Sequence, residues 1–190
     1  ALPYFEQVTK TVNGNSSSLV QDAYLRSADC HYMLKNYAQA NSQYDRLAAL
    51  ALPQSDYALY QKAMIAGIKS SNEKIKLMGS LQKKYPQSNL VQDANMEIAL
   101  TYLTDEKFNE AIPYLDQVLI STNEGLKPRA LAKKALAYYN ANNNQQALSS
   151  YKELIKKYPQ SAEANDALVN IKDIYVEEGN TGEYLQLMKE

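Results

Sequence analysis

The hexapeptide KKYPQS occurs twice, at residues 83–88 and 156–161, and PQS occurs once more at 53–55. LVQDA is likewise found at 19–23 and 90–94, and NDA at 165–167 follows the last PQS. Successive PQS prolines, Pro53, Pro86 and Pro159, lie 33 and 73 residues apart, so the second interval holds two units. The opening stretch ALPYFEQVTK also returns as AIPYLDQVLI at 111–120, with Ala1/Ala111, Pro3/Pro113, Tyr4/Tyr114, Gln7/Gln117 and Val8/Val118 identical. A recurrence of this length is the mark of an array. Each unit is one supersecondary element too small to bury its apolar face alone, and stacking against neighbours completes the core.

Within a unit the apolar residues recur at helical spacing. Residues 89–104 carry Leu90, Val91, Ala94, Ile98, Ala99, Tyr102 and Leu103, and residues 108–120 carry Phe108, Ala111, Ile112, Leu115, Val118 and Leu119. Both are stripes along one face of a helix, not strand alternation. The polar step Asp105–Glu106–Lys107 separates them. The same helix, turn, helix cadence is read at 18–51, 129–157 and 162–190, and at 56–85 with a shorter first helix bearing Gly and Lys. Ser88 and Ser161 are placed to cap the helices that follow. Lys83, Lys84, Lys156 and Lys157 suit the negative ends of those that precede, and Pro86 and Pro159 stop them.

Composition narrows the function. The chain has 20 basic and 21 acidic residues, a net charge of −1, and no basic footprint of the kind nucleic-acid binding leaves. Six glycines in 190 residues disfavour turn-rich β folds and phosphate-binding loops. Cys30 is the one cysteine, so neither a disulfide framework nor a thiolate metal site is available. No apolar run approaches the ~20 residues that span a bilayer. Sixteen tyrosines against two phenylalanines suggest aromatic packing with hydroxyls at the rim.

The small and aromatic positions resemble the tetratricopeptide repeat (TPR). One unit reads Leu131, Ala135, Tyr138, Ala147, Tyr151, Leu154 and Pro159; another Asn95, Ile98, Ala99, Tyr102, Ala111, Leu115 and Val118; a third Tyr24, Ala28, His31, Ala40, Tyr44 and Leu47. In all three the small residue of the first helix and the alanine of the second are twelve apart. Close approach of two antiparallel helices needs that pair of small side chains. The consensus Trp and Gly are missing, Lys74 replaces the second-helix alanine at 56–85, and Glu183 is read at that place in the last unit. The YPQS junction is similar to the repeats of bacterial envelope proteins, such as the outer-membrane assembly lipoprotein and the periplasmic Tol–Pal coordinator.

The resemblance implies an all-α fold, a right-handed α-solenoid of helix–turn–helix TPR-like repeats. The expected layout over 1–190 is an orphan second helix at 1–13, repeats at 16–52, 53–85, 86–121 and 122–158, and a last repeat at 159–190. Ala1 aligns with Ala40, Ala111 and Ala147, and Phe5 with Tyr44, Leu115 and Tyr151. This reading expects the chain to be a stretch of a longer array. Apolar faces around Phe5, Leu187 and Met188 at the two ends would then allow end-to-end homodimers.

No catalytic constellation is found. His31, the one histidine, adjoins Cys30, and adjacent helical residues point about 100° apart, too far for a nucleophile–base pair. It occupies the aromatic slot of Tyr102 and Tyr138 and reads as a packing residue. No G-x-x-x-x-G-K-[ST] or G-x-G-x-x-G occurs. The chain reads as non-catalytic, with no cofactor or metal. In arrays of this resemblance the first helices line a concave groove that takes a protein or peptide ligand. Candidate groove residues are Arg26, Asp29 and Tyr32; Glu97, Leu100 and Thr104; Lys133, Leu136, Tyr139 and Asn140; and Asn170. Tyr32 and Tyr139 stand out because tyrosine is enriched at binding hot spots. Mixed charge argues against a strongly acidic peptide tail. The expected role is a protein–protein interaction scaffold in a larger bacterial envelope protein, periplasmic or outer-membrane-associated. The alternative is a sensory or regulatory segment of a longer signalling protein, with a cytoplasmic location.

Overall fold

The computed structural model describes residues 1–11, 18–49 and 54–187. Pro53, Met188, residues 12–13, the side chain of Leu187 and the outer ends of the 16–52, 53–85 and 159–190 units fall outside the described residues. Among the described residues are eleven α-helices, one 3-10 turn and no strand. The helices are α1 Leu2–Thr11, α2 Ser18–Met33, α3 Tyr37–Ala49, α4 Ser55–Gly67, α5 Ser71–Lys84, α6 Val91–Thr104, α7 Phe108–Leu119, α8 Lys127–Asn140, α9 Asn144–Lys157, α10 Ala162–Glu177 and α11 Thr181–Leu187. The chain divides into two compact units, Ala1–Ala94 and Asn95–Glu190, with the boundary inside α6.

In the first unit each helix packs on the next, α1 on α2 through to α4 on α5. Its core is Val20, Tyr24, Ala28, Ala40, Tyr44, Leu47, Ala58 and Ile65. In the second, α7 packs on α8, α8 on α9, α9 on α10, and α10 on both α11 and α8. One cluster there joins Met96, Ala99, Ala111, Leu115, Val118 and Ala130. Another is built on Leu131, Ala135, Ala147, Tyr151, Leu154, Ala167, Ile171 and Ile174. The alanine pairs twelve residues apart, Ala28/Ala40, Ala99/Ala111 and Ala135/Ala147, are all fully buried, and both members of each share one cluster. Without side-chain bulk at those points, two helices approach to the ~8 Å end of the usual range. One helical turn on, Tyr44, Leu115 and Tyr151 fill the groove beside the alanine, none more than 2% exposed.

The turn within a pair is also a repeated object. Lys35, Glu106, Asn142 and Gly179 adopt left-handed backbone, with φ of 60°, 58°, 58° and 73°. The amide of the following residue then returns to a carbonyl five residues back: Asn36 to His31, Lys107 to Tyr102, Asn143 to Tyr138 and Asn180 to Tyr175, each at 2.8 Å. This is the Schellman arrangement, which satisfies carbonyls a helix end leaves open. The four accepting residues are His31 and the three tyrosines of one slot, so the imidazole stands where a phenol ring stands elsewhere.

The α4–α5 turn is built differently. Ile68 keeps right-handed helical angles, and Ser70 caps α5 by accepting from the Glu73 amide. A Cβ placed on Gly67 would lie 2.7 Å from Cδ of Lys74. Gly67 thus makes room for the lysine stem that stands in the alanine's place. In the last pair the residue four beyond Asn180 is Tyr184, which packs on the core, while Glu183 is exposed. The reading of Glu183 at the alanine position is one residue out, because the left-handed turn falls at Gly179 and α11 starts from there.

YPQS is a β-turn with proline at its second position. The Ser88 amide donates to the Tyr85 carbonyl and the Ser161 amide to that of Tyr158, both at 3.0 Å. The tyrosine before each proline caps the preceding helix, its amide reaching Leu81 or Leu154 at 2.8 Å. Ser161 then caps α10, its Oγ accepting from the Ala164 amide at 3.1 Å. Ser88 departs from that role. Its hydroxyl donates to Asp56 and accepts from the Leu90 amide, and α6 begins only at Val91.

Candidate functional site

Helix α8 presents Arg129, Ala132, Lys133 and Leu136 along one face, and α10 presents Glu163, Asp166 and Asn170. The spacings of three and four place each set in a row. Between the rows lies a cleft of about 380 Å³ with Tyr151 of α9 at its base. Its walls are opposite in charge: two cations on α8 and two carboxylates on α10. Leu136 and Ala132 supply an apolar strip between them. Burial pushes the Tyr151 phenol up to about 12, so it stays protonated. Neighbouring Lys134 points the other way. Its Nζ meets Asp116 of α7 at 2.7 Å and lies 5.8 Å from the centre of the Tyr138 ring. Adjacent lysines thus divide between seam and cleft, as helical geometry requires.

Of the residues singled out from the sequence, Lys133, Leu136 and Asn170 meet in this cleft. Tyr139 donates to the Glu177 carboxylate, at 2.8 and 2.9 Å to its two oxygens, which raises its pKa. That bond ties the end of α8 to the end of α10. Asn140 is exposed beside it. Leu100 packs against the α6–α7 cluster, Glu97 is half-buried, and the Thr104 hydroxyl donates to the Leu100 carbonyl at 2.9 Å.

In the first unit Arg26 is exposed and pairs with Asp22 one turn back, at 2.6 Å. Tyr32 packs edge-on against Tyr37, with ring centres 5.9 Å apart. Asp29 accepts from the hydroxyls of both Tyr44 and Tyr57. Burial first, then Asp29, raises both phenols, Tyr57 to about 12. Asp29 therefore serves the interior as an acceptor.

Arg129, Ala132, Glu163 and Asp166 escaped sequence reasoning, and Tyr151 was read there only as a packing residue of the repeat. The signal was present: Arg129 extends the Lys133–Leu136 face by one turn, and Glu163 and Asp166 extend that of Asn170. Among the described residues no group of His, Cys, Asp and Glu could hold a metal ion. No described helix is long and apolar enough to cross a membrane. His31 is buried, with Nε2 3.4 Å from the Glu6 carboxylate.

Sequence models of the tetratricopeptide repeat match residues 22–51 and 96–162. The chain carries tetratricopeptide repeats. Solved structures with the same helical-repeat fold include YrrB, described as a TPR protein with an unusual peptide-binding site. It shares 17% identity at a TM-score of 0.69, over 100% of this chain and 91% of that one. Residues 41 to the end of MamA from Desulfovibrio magneticus RS-1 give 13% identity and a TM-score of 0.68, covering 89% and 91%. A double mutant of MamA RS-1 gives 12% and 0.69, covering 89% and 90%. A search of curated protein sequences returns no match. At these identities the likeness to the TPR structures establishes the fold.

Proposed function

We propose that this chain is a non-catalytic interaction scaffold that holds a peptide or helix of a partner protein in the cleft between α8 and α10. The observation that carries the reading is the cleft's make-up: cationic Arg129 and Lys133 face anionic Glu163 and Asp166 across Leu136 and Tyr151. Such a site selects a segment bearing charges of both signs around an apolar residue. It disfavours a uniformly acidic tail, which would meet the α10 carboxylates. The description of YrrB as peptide-binding accords with this use of the fold. We place the scaffold in the bacterial envelope, on the likeness of its Tyr-Pro-x-Ser junctions to envelope repeats.

Affinity capture from the native host, repeated with Lys133→Glu and Glu163→Lys, tests the cleft. Each reversal is expected to lower partner recovery about fivefold or more, the scale of a ~1 kcal/mol loss, with helicity unchanged. Equal recovery by both variants would refute the cleft. Cell fractionation tests the location separately, and recovery with the cytoplasmic proteins would refute the envelope assignment alone.

A further inference from the structure

The helix pairs supply their own comparison at the turn that joins each of them. Two and three residues before the returning helix, the second unit carries Glu106 and Asp105, Asn142 and Ala141, and Gly179 and Glu178. At those places the first unit carries Lys35 and Leu34 in the α2–α3 turn, and Lys69 and Ile68 in the α4–α5 turn. An apolar residue followed by a lysine thus stands at both turns of one unit and at none of the other. Leu34 and Ile68 are 59% and 54% exposed, and Met33, one place earlier, is 78% exposed. Lys35 and Lys69 are exposed as well. The second unit fills the same places with acidic, small or amide residues, so the turn itself does not require this pair.

The two turns share one edge of the first unit. A cleft of about 480 Å³ is lined by Tyr37 and Ala38, just after the first turn, and by Ile68, Lys69 and Ser70 of the second. Glu73, also on its wall, is paired with Lys76 at 3.4 Å, which leaves Lys35 and Lys69 as the net charge of the edge. The turns of the second unit have the opposite sign, with Asp105, Glu106, Glu177 and Glu178 against Lys107. Apolar side chains gathered at one exposed edge mark an interaction surface, and the lysines set the charge of what meets it.

We infer that this edge of the first unit docks on an anionic lipid bilayer. Met33 and Leu34 stand out from their turn, and a deformable apolar medium accepts such shapes where a rigid partner would need a hollow fitted to each. The aliphatic side chains enter the boundary between headgroups and acyl chains. Each lysine stem lies back along the apolar surface and holds its ammonium among the phosphates. Each lysine near an anionic leaflet adds an attraction that salt screens. An acidic protein surface would satisfy the ammonium groups and leave the three large side chains in water. With two tips the association is reversible, a surface attachment for a chain in which no described helix crosses a bilayer. It rests on neither the α8–α10 cleft nor the envelope assignment.

The test is flotation of the chain with vesicles made of equal parts phosphatidylglycerol and phosphatidylcholine, against vesicles of phosphatidylcholine alone. Flotation with the mixed vesicles only, and release by salt, are expected. Lys35→Glu and Lys69→Glu should each lower the partition about fivefold or more. Glutamate is tolerated at the first of these places, since Glu106 holds the same left-handed backbone in the α6–α7 turn. Leu34→Ser combined with Ile68→Ser should lower the partition about tenfold with both lysines kept. Lys83→Glu makes the same change in net charge at the far end of α5 and should float like the native chain. Circular dichroism checks that each variant keeps its helices. No binding to the mixed vesicles, equal binding to both kinds, or full binding by the serine variant would each overturn the inference. So would a loss in Lys83→Glu equal to that in Lys35→Glu. Binding of polyglutamate at these turns without binding of vesicles would point to an acidic protein and overturn it as well.

Discussion

Tyr44 donates its phenolic hydrogen to Asp29 Oδ1 at 2.6 Å, and the same oxygen accepts from Tyr57 at 3.1 Å. One carboxylate oxygen thereby joins α2, α3 and α4. Tyr44 is fully buried, and its hydroxyl would be costly to bury without this partner. Asp29→Ala leaves two phenols unsatisfied and should destabilise the first unit by about 3 kcal/mol. Tyr57→Phe removes only the longer bond and should cost nearer ~1 kcal/mol. Urea denaturation followed by circular dichroism measures both. Equal losses would show that the two hydroxyls do not depend on Asp29 in this way.

The same burial predicts a base-sensitive fold. Tyr57 and Tyr151 are raised from an ordinary 10.0 to about 12 by burial. A phenol whose pKa is higher folded than unfolded binds its proton more tightly in the native state. Its contribution is complete below pH 10 and is lost as pH rises through about 12. The melting temperature should therefore fall steeply over that window. Tyrosinate absorbance should show part of the tyrosines titrating late and together with unfolding. A titration in which all tyrosines ionise near pH 10 while the helices persist would refute this.

The left-handed turns predict opposite effects of glycine. Lys35 and Glu106 hold positive φ with a Cβ in place, at a cost of about 1–2 kcal/mol each, part of which glycine returns as unfolded-chain entropy. Lys35→Gly and Glu106→Gly should each stabilise by up to about 1 kcal/mol. Gly179→Ala, at φ 73°, should destabilise by a similar amount. Thermal melts of the three variants decide it, and a loss of stability in either glycine variant would count against the turn geometry.

At the helix seams the tolerance should be one-sided. Ala135 and Ala147 are fully buried. Replacing either with leucine forces the helices apart and should cost about 1–3 kcal/mol or more. Ala141→Leu, at the half-buried end of α8, should change stability by less than ~0.5 kcal/mol. Denaturant midpoints that move equally for the two classes would contradict the seam.

What the sequence made legible follows from what packing enforces. The alanine spacing could be read because only small residues suit the point of closest approach. YPQS could be read because proline and serine have one use each in such a turn. The left-handed residues could not, since three of the four are Lys, Glu and Asn, and only Gly179 carries its geometry in its identity. Asp29 was assigned to an open face, yet its partners lie 15 and 28 residues further along. Helical periodicity identifies the direction of a side chain but not what crosses over to meet it. For the same reason Lys133 and Leu136 could be named from the spacing of α8 and Asn170 from that of α10, while Glu163 and Asp166, which stand across the cleft from Lys133, were not found.

The constant distance between the paired alanines has one more consequence. The left-handed turn acts as a ruler, fixing how many residues separate one contact point from the next. A single residue inserted there would rotate the whole returning helix by about 100°, sending its alanine away from the seam and a neighbour's bulk into it. Within a pair the length of the turn is therefore held more strictly than its sequence, while the connections between pairs, from Lys84 to Val91 and from Lys157 to Ala162, differ in length.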